Sequence, residues 1–163
     1  AAETLLGSGL PGKLSGYTPV LCGTVPIDCD LPGSDLDIVC HVPAPELFQA
    51  NANTAFGRRP GFELKRKDLY DVDTVICRFE LGDWQVEIVA QQLPVRRQRA
   101  FGHMLAEALL LHQAVAGTND IVRRLKQREL STEEAFASHF GLPGDPYEAL
   151  FRLYEERFDI DGN

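Results

Sequence analysis

The sequence predicts an α/β (α+β) fold, a sheet core followed by a C-terminal helical segment, and three observations carry that reading. Leu36 to Val42, Val75 to Leu81 and Trp84 to Ala90 are apolar or alternating runs rich in β-branched residues, as strands require. Gly82-Asp83 joins the last two as a two-residue hairpin signal, with glycine where a positive φ is needed. From Pro94 onward the period changes, and apolar residues recur at helical spacing between capping signals.

Each element has its own signals. Leu5, Leu6, Leu10, Leu14 and Tyr17 could mark one side of a helix. Gly7, Gly9, Gly12 and Gly16 undermine it, so residues 1–17 read as a frayed, poorly patterned entrance. Pro19 to Cys22 is a short segment leading into Gly23-Thr24, and Val25 to Gly33, with Pro26 and Pro32, is a loop. Pro43 and Pro45 stop the Leu36–Val42 strand, and Pro45 then opens a helix from Glu46 to Phe56 that is expected to bury Leu47, Phe48 and Phe56. Phe62 to Asp68, with Lys65-Arg66-Lys67, reads as an edge strand. Arg96 to Ala116 reads as one long helix closed by Gly117, and Asp120 to Arg128 as a second, charged helix. Ser131-Thr132-Glu133-Glu134 is a capping box for a helix ending at Gly141, and Asp145-Pro146 caps the last helix. The expectation is one domain over 1–163, with a catalytic sheet core at 18–93 and a helical segment at 94–163.

At 163 residues, 44% apolar and 25% charged, the chain has the profile of a globular domain. No apolar run approaches the roughly 18 residues of a membrane span, and no basic-then-apolar leader opens it. A net charge of −8 argues against wrapping a long nucleic acid, though not against a local basic pocket for phosphates. Four scattered cysteines without a C-x-x-C pair read as reduced thiols, which points to the cytoplasm and away from a zinc site. Cys40 keeps step with Leu36 and Ile38 as a small core residue.

The chemistry is carried by acids. Asp35 and Asp37 are two residues apart, so on a strand they share one face while Leu36 and Ile38 take the other. Two carboxylates so placed repel unless a cation lies between them. Glu87 lies between Val86 and Ile88, where a buried carboxylate needs a partner; its ordinary alternative is the solvent face of a half-exposed sheet. Three acids able to converge on one sheet face suit a divalent metal. Gly23 permits close backbone approach and Thr24 offers a hydroxyl, so the turn can hold a phosphate oxygen or serve as an ordinary cap. Asp28 and Asp30 begin like a calcium loop, but Pro32 and Val39 occupy positions that need ligands. Phosphate-loop, serine-hydrolase and zincin signatures are missing.

The order Cys22-Gly23-Thr24, then Asp35-Leu36-Asp37-Ile38, then Val86-Glu87-Ile88 resembles the nucleotidyltransferase superfamily whose fold is shared with polymerase beta. Two departures are Thr24, where serine or glycine is usual, and Pro26, which interrupts the helix that often follows the glycine. A closer resemblance covers most of the chain. It runs through Leu21 to Asp28, Ser34 to Cys40, Gln98 to Glu107, Thr132 to Ala137 and Gly144 to Tyr147, and it points to an uncharacterised bacterial DUF-type family within that superfamily. Relatives carry a helix before the Gly-Thr turn, a part that is expected to be short here.

The resemblance implies a nucleotidyltransferase-like mixed β-sheet flanked by helices. It implies that Asp35, Asp37 and Glu87 are both catalytic residues and ligands of Mg²⁺, with Mn²⁺ as the alternative. NTP and an acceptor hydroxyl on a small molecule, protein or RNA end would be the substrates. Gly23, Thr24 and Ser34, with Arg96, Arg97, Arg99 and His103, would form the substrate- and phosphate-binding set. Lys65, Arg66 and Lys67 are a second basic set, and for either the default is a solvated charge run. Gln98 and His103, with Glu107 one turn beyond, would otherwise brace the long helix against the sheet, and His41 keeps step with the aspartates. The competing expectations are a non-catalytic member that binds nucleotide or a partner, and a subunit of a larger assembly.

Overall fold

The computed structural model describes residues 2–158 and residue 160, with the side chains of Ala2 and Leu6 outside the description. The chain forms two compact units, Ala1–Cys22 with Gly33–Gln98, and Gly23–Pro32 with Arg99–Asn163. Among the described residues no helix is long and apolar enough to cross a membrane.

The first unit is built on a five-stranded mixed sheet. Its strands are β1 (Val20–Cys22), β2 (Leu36–His41), β3 (Glu63–Leu69), β4 (Val72–Leu81) and β5 (Trp84–Gln91), in the order β1-β2-β5-β4-β3. Only β2 and β5 run parallel; the other neighbours are antiparallel. The β4–β5 hairpin pairs Leu81 with Trp84 across Gly82-Asp83, and Gly82 takes the expected positive φ of 62°. The basic strand β3 is an edge, as expected, and its lysines blunt pairing with a second chain.

Strand alternation gives this sheet an apolar face of Leu36, Ile38 and Cys40, then Val86, Ile88 and Ala90, then Val75, Cys77 and Phe79, all buried. Helix α3 (Pro45–Phe56) packs here, with Pro45 in its first turn and Phe48, Ala52 and Phe56 buried at a spacing of four. The Phe56 ring stacks on Phe79 with centroids 4.8 Å apart, and Tyr17 meets Phe48 edge-on at 5.0 Å. Leu47 corrects the expectation of burial. At 59% exposed it lies off the Phe48 stripe and faces outward.

The entrance is also corrected. Residues 2–7 and 10–14 form short helices α1 (Ala2–Gly7) and α2 (Leu10–Leu14), followed by one 3₁₀ turn at Ser15–Tyr17. Gly9, read as a helix breaker, adopts φ 71° at the N-cap of α2 and so separates two helices. Leu10 and Leu14 are buried, and with Leu21 and Ile38 they line an apolar pocket. Helices of five and six residues have almost no stability alone, so packing makes them.

The second unit comprises α4 (Arg99–Gln113), α5 (Thr118–Lys126), α6 (Thr132–Phe140) and α7 (Pro146–Arg157), with the 23–32 loop. Its core joins Ala106, Val122, Ala135, Phe136, Leu150 and Tyr154 to Cys29 of the loop. Gly102 lets α4 approach α7 closely, since a Cβ there would stand 2.7 Å from Tyr154 and 2.8 Å from Phe151. The α6 capping box forms as read, with Ser131 Oγ accepting from Glu134 N and the Glu134 carboxylate accepting from Ser131 N. Gly141 ends α6 at φ 66°, and Asp145 caps α7.

The single long helix over Arg96–Ala116 does not form. A 3₁₀ turn at Val95–Arg97 precedes an extended Gln98 (φ −83°, ψ 135°), and α4 starts only at Arg99. The buried Gln98 amide donates to the carbonyls of Cys40 and Leu93, both at 2.9 Å, and those bonds hold the backbone out of helix. Gly117 acts as the left-handed N-cap of α5 and does not close the long helix.

Candidate active site

Strand register assembles a row of polar side chains on the sheet face opposite α3. Cys22 pairs with Asp37, Asp37 with Glu87, Glu87 with Arg78, and Arg78 with Glu63, one residue from each of the five strands. Asp37 and Glu87 are therefore side by side on the two parallel strands. Val39, Val89 and Ile76 form the next row on this face, and His41, Gln91 and Thr74 the one after. Gln91 Nε2 donates to Thr74 Oγ1 at 2.9 Å within that last row, a buried bond that fixes its end.

Strand β2 begins at Leu36, so Asp35 sits in the irregular segment just before the strand, a refinement of the expected D-x-D strand pair. It still belongs to the same charge cluster. Partial burial raises the Asp35 carboxyl above its ordinary range, the Glu87 charge raises it further, and Arg78 opposes. Asp37 acts in the same way on Cys22: burial first, then the Asp37 charge, pushes that thiol up to about 12.

Arg78 has no counterpart in the sequence reading. Its guanidinium forms an ion pair with the Glu87 carboxylate, through both Nε and Nη2. The signal for it was present. A two-residue loop at Gly82-Asp83 sets residue 81 against 84 and therefore 78 against 87, placing an arginine beside the third acid.

The other expected binding residues divide between the units. Ser34 precedes Asp35 in the irregular segment before β2, and Arg96 and Arg97 are exposed on the 3₁₀ turn after β5, all in the sheet unit. Lys65 and Lys67 pair with Ile76 and Thr74 and so share the carboxylate face, with Lys65 on Glu63 at 2.7 Å. Arg66 lies on the opposite face, bound to Asp73 and Glu46. Gly23, Thr24, Arg99 and His103 belong to the helical unit. Gly23 adopts φ 71°, and the Thr24 carbonyl accepts from Cys29 N at 3.0 Å, which closes the loop on itself. That loop is pinned by α5: Asn119 donates to the carbonyls of Ile27 and Asp28, Arg123 to the Asp28 carbonyl and carboxylate, and Lys126 to the Cys29 carbonyl. Arg99 reaches Glu148 at 2.7 Å and lies 4.9 Å over the Phe151 ring. His103 is buried with both ring nitrogens occupied, Nε2 by the Tyr147 carbonyl at 3.0 Å and Nδ1 by Glu133 at 3.3 Å.

Carboxylate oxygens are the donors that Mg²⁺ prefers, so the chemistry of Asp35, Asp37 and Glu87 fits that ion. Their positions meet it in part. Asp37 and Glu87 are adjacent and Asp35 is within electrostatic reach, yet Glu87 is turned to Arg78. Among the described residues no three His, Cys, Asp or Glu side chains form a group that could hold a metal ion.

Solved structures share this fold. The Cid1 poly(U) polymerase with MgGTP bound matches with a TM-score of 0.54 and 16% identity over 77% of this chain and 39% of that one. The same enzyme with Mg 3′-dATP bound gives 0.55 and 14% over 91% and 48%. The polymerase core of TRAMP, an RNA surveillance complex, gives 0.53 and 15% over 91% and 46%. The chain thus spans less than half the length of these polymerase chains, and the likeness is one of nucleotidyltransferase-like fold, a mixed sheet with flanking helices. No curated protein matches it in sequence. Residues 3–153 match the model of a Domain of unknown function (DUF4269), and the chain belongs to that family.

Proposed function

We propose that this chain is a metal-dependent nucleotidyltransferase that moves a nucleoside monophosphate from NTP to a hydroxyl acceptor. The observation that carries the reading is the pairing of Asp37 with Glu87 on adjacent parallel strands, with Asp35 coupled to Glu87, in a fold that polymerases share. Asp35, Asp37 and Glu87 would hold Mg²⁺ or Mn²⁺, which supplies charge neutralisation at the triphosphate and acidifies the acceptor hydroxyl. Glu87 orients the acceptor and takes its proton. The acceptor oxygen then attacks the α-phosphorus, the bond from that phosphorus to the β-phosphate oxygen breaks, and pyrophosphate leaves. Ser34, Arg96 and Arg97 from the sheet unit bind phosphate oxygens, a role that the sequence resemblance also implies for Gly23 and Thr24. Arg99 and His103, engaged with Glu148, Glu133 and Tyr147, serve by positioning α4. Four buried thiols outside any disulfide support a cytoplasmic setting.

The test is pyrophosphate release from mixed NTPs and Mg²⁺ over a panel of hydroxyl acceptors, comparing wild type with Asp35→Asn/Asp37→Asn. The double variant is expected to lose at least about 100-fold, the scale for removing charge stabilisation at a reacting centre. Equal turnover in the two proteins would sink the reading. The Arg78–Glu87 pair favours one alternative, a non-catalytic member that binds nucleotide, which calorimetry identifies as NTP binding without pyrophosphate release.

A further inference from the structure

We propose that Arg78 is a built-in competitor for the cation site: its guanidinium occupies Glu87, and a divalent ion must displace it before Glu87 can join Asp37 and Asp35 on that ion. The inference rests on the metal-dependent reading above and concerns how that site is charged and loaded. Adjacent parallel strands bring Asp37 and Glu87 into the same row, where two carboxylates repel. Arg78 stands next in that row and pairs with Glu87, and its charge also counters the rise in Asp35. One monovalent cation therefore offsets part of the repulsion that a divalent ion would remove completely. The two cations repel each other and share a ligand, so occupancy by one opposes the other.

Displacement is feasible on two counts. The Arg78 side chain is 45% exposed and that of Glu87 19%, so the pair is partly screened and its hold is weak. The displaced guanidinium also has somewhere to go. Glu63 stands opposite Arg78 on the edge strand and already feels its charge, after the larger effects of its bond to Lys65. Arg78 thus lies between two carboxylates, Glu87 in the middle of the sheet and Glu63 at its edge.

The experiment is Mn²⁺ titration of the full chain without nucleotide, read by the electron paramagnetic resonance of free Mn²⁺. Arg78→Gln is expected to bind about fivefold tighter than wild type, the upper end for losing an exposed ion pair, and Arg78→Lys to bind about as wild type does. Unchanged or weaker binding in Arg78→Gln overturns the proposal. Glu63→Gln, an exposed edge-strand change that leaves the core untouched, is the second variant. It is expected to bind Mn²⁺ about twofold more weakly, and unchanged affinity there also counts against the proposal. Asp37→Asn separates the two readings. If it abolishes Mn²⁺ binding while Arg78→Gln changes nothing, only the role of Arg78 falls. If wild type and Asp37→Asn bind Mn²⁺ alike, or neither binds, the metal-dependent reading falls and takes this one with it.

Discussion

The sheet unit and the helical unit each gather carboxylates, but they treat the charge in opposite ways. In the sheet unit Asp35 is exposed and Asp37 half-buried, and the cation beside them, Arg78, is partly exposed as well. In the helical unit Glu107 is 3% exposed, and its neighbours Glu133, His103 and Lys126 are fixed to the protein itself. Burial pushes Glu107 well above the ordinary carboxylate range, Glu133 adds to that, and Lys126 only partly offsets it. Burial is the largest single effect on Glu133 and would raise it, yet the His103 hydrogen bond and charge, a backbone hydrogen bond and the Ser131 hydroxyl together outweigh it and hold that carboxyl below its ordinary range. Lys126 is held below the usual lysine range by the same burial. The difference teaches where a ligand can matter. Charges that are enclosed and answered internally serve the fold, and partly exposed carboxylates are the ones we propose that a ligand meets.

Three substitutions sharpen that contrast. The largest effect on stability is expected from Gly102→Ala, which drives a methyl into Tyr154 and Phe151 where α4 crosses α7. It should cost about 1–3 kcal/mol in chemical denaturation, and a neutral result would show that the aromatic pair can yield. The next is Glu107→Gln, whose effect depends on pH. The folded pKa of Glu107 lies above the unfolded value, so its contribution is fully present below the unfolded pKa and is lost as pH rises toward the folded one. Wild type should therefore lose stability relative to Glu107→Gln as pH is raised above the ordinary glutamate range. Parallel stability curves for the two proteins would instead mean that Glu107 titrates alike folded and unfolded. The smallest effect on stability is expected from Asp35→Asn/Asp37→Asn, within about 0.5 kcal/mol of wild type in the same assay. A large loss there would mean that the sheet carboxylates are structural, and the contrast between the units would dissolve.

Much of the architecture was legible because short-range physics decides it. The Gly82-Asp83 turn, Pro45 at the start of α3, the Ser131 capping box and the Asp145 cap all formed as read, since each depends on residues within one turn of itself. The misses share a cause. Helices α1 and α2 look unformed because five or six residues with several glycines cannot nucleate alone. The Arg96–Ala116 stripe looks continuous, but hydrogen bonds from Gln98 to Cys40, 58 residues away, and to Leu93 break it. Gly102 carried no signal, because only the aromatic rings of α7 give its missing side chain a purpose. In the site, Asp37 and Glu87 were legible as types and positions, and Arg78 was derivable from the hairpin register. Which partner Glu87 would take was not.

The sequence alone therefore determined the strand alternation, the helix caps, the hairpin register and the presence of three acids able to share a face. Each follows from backbone geometry over a few residues. Tertiary structure decided that β2 pairs in parallel with β5, setting Asp37 against a glutamate 50 positions downstream, and that Arg78 holds that glutamate. Pairing across a crossover is chosen by which apolar faces bury together under α3, and local periodicity does not encode that choice.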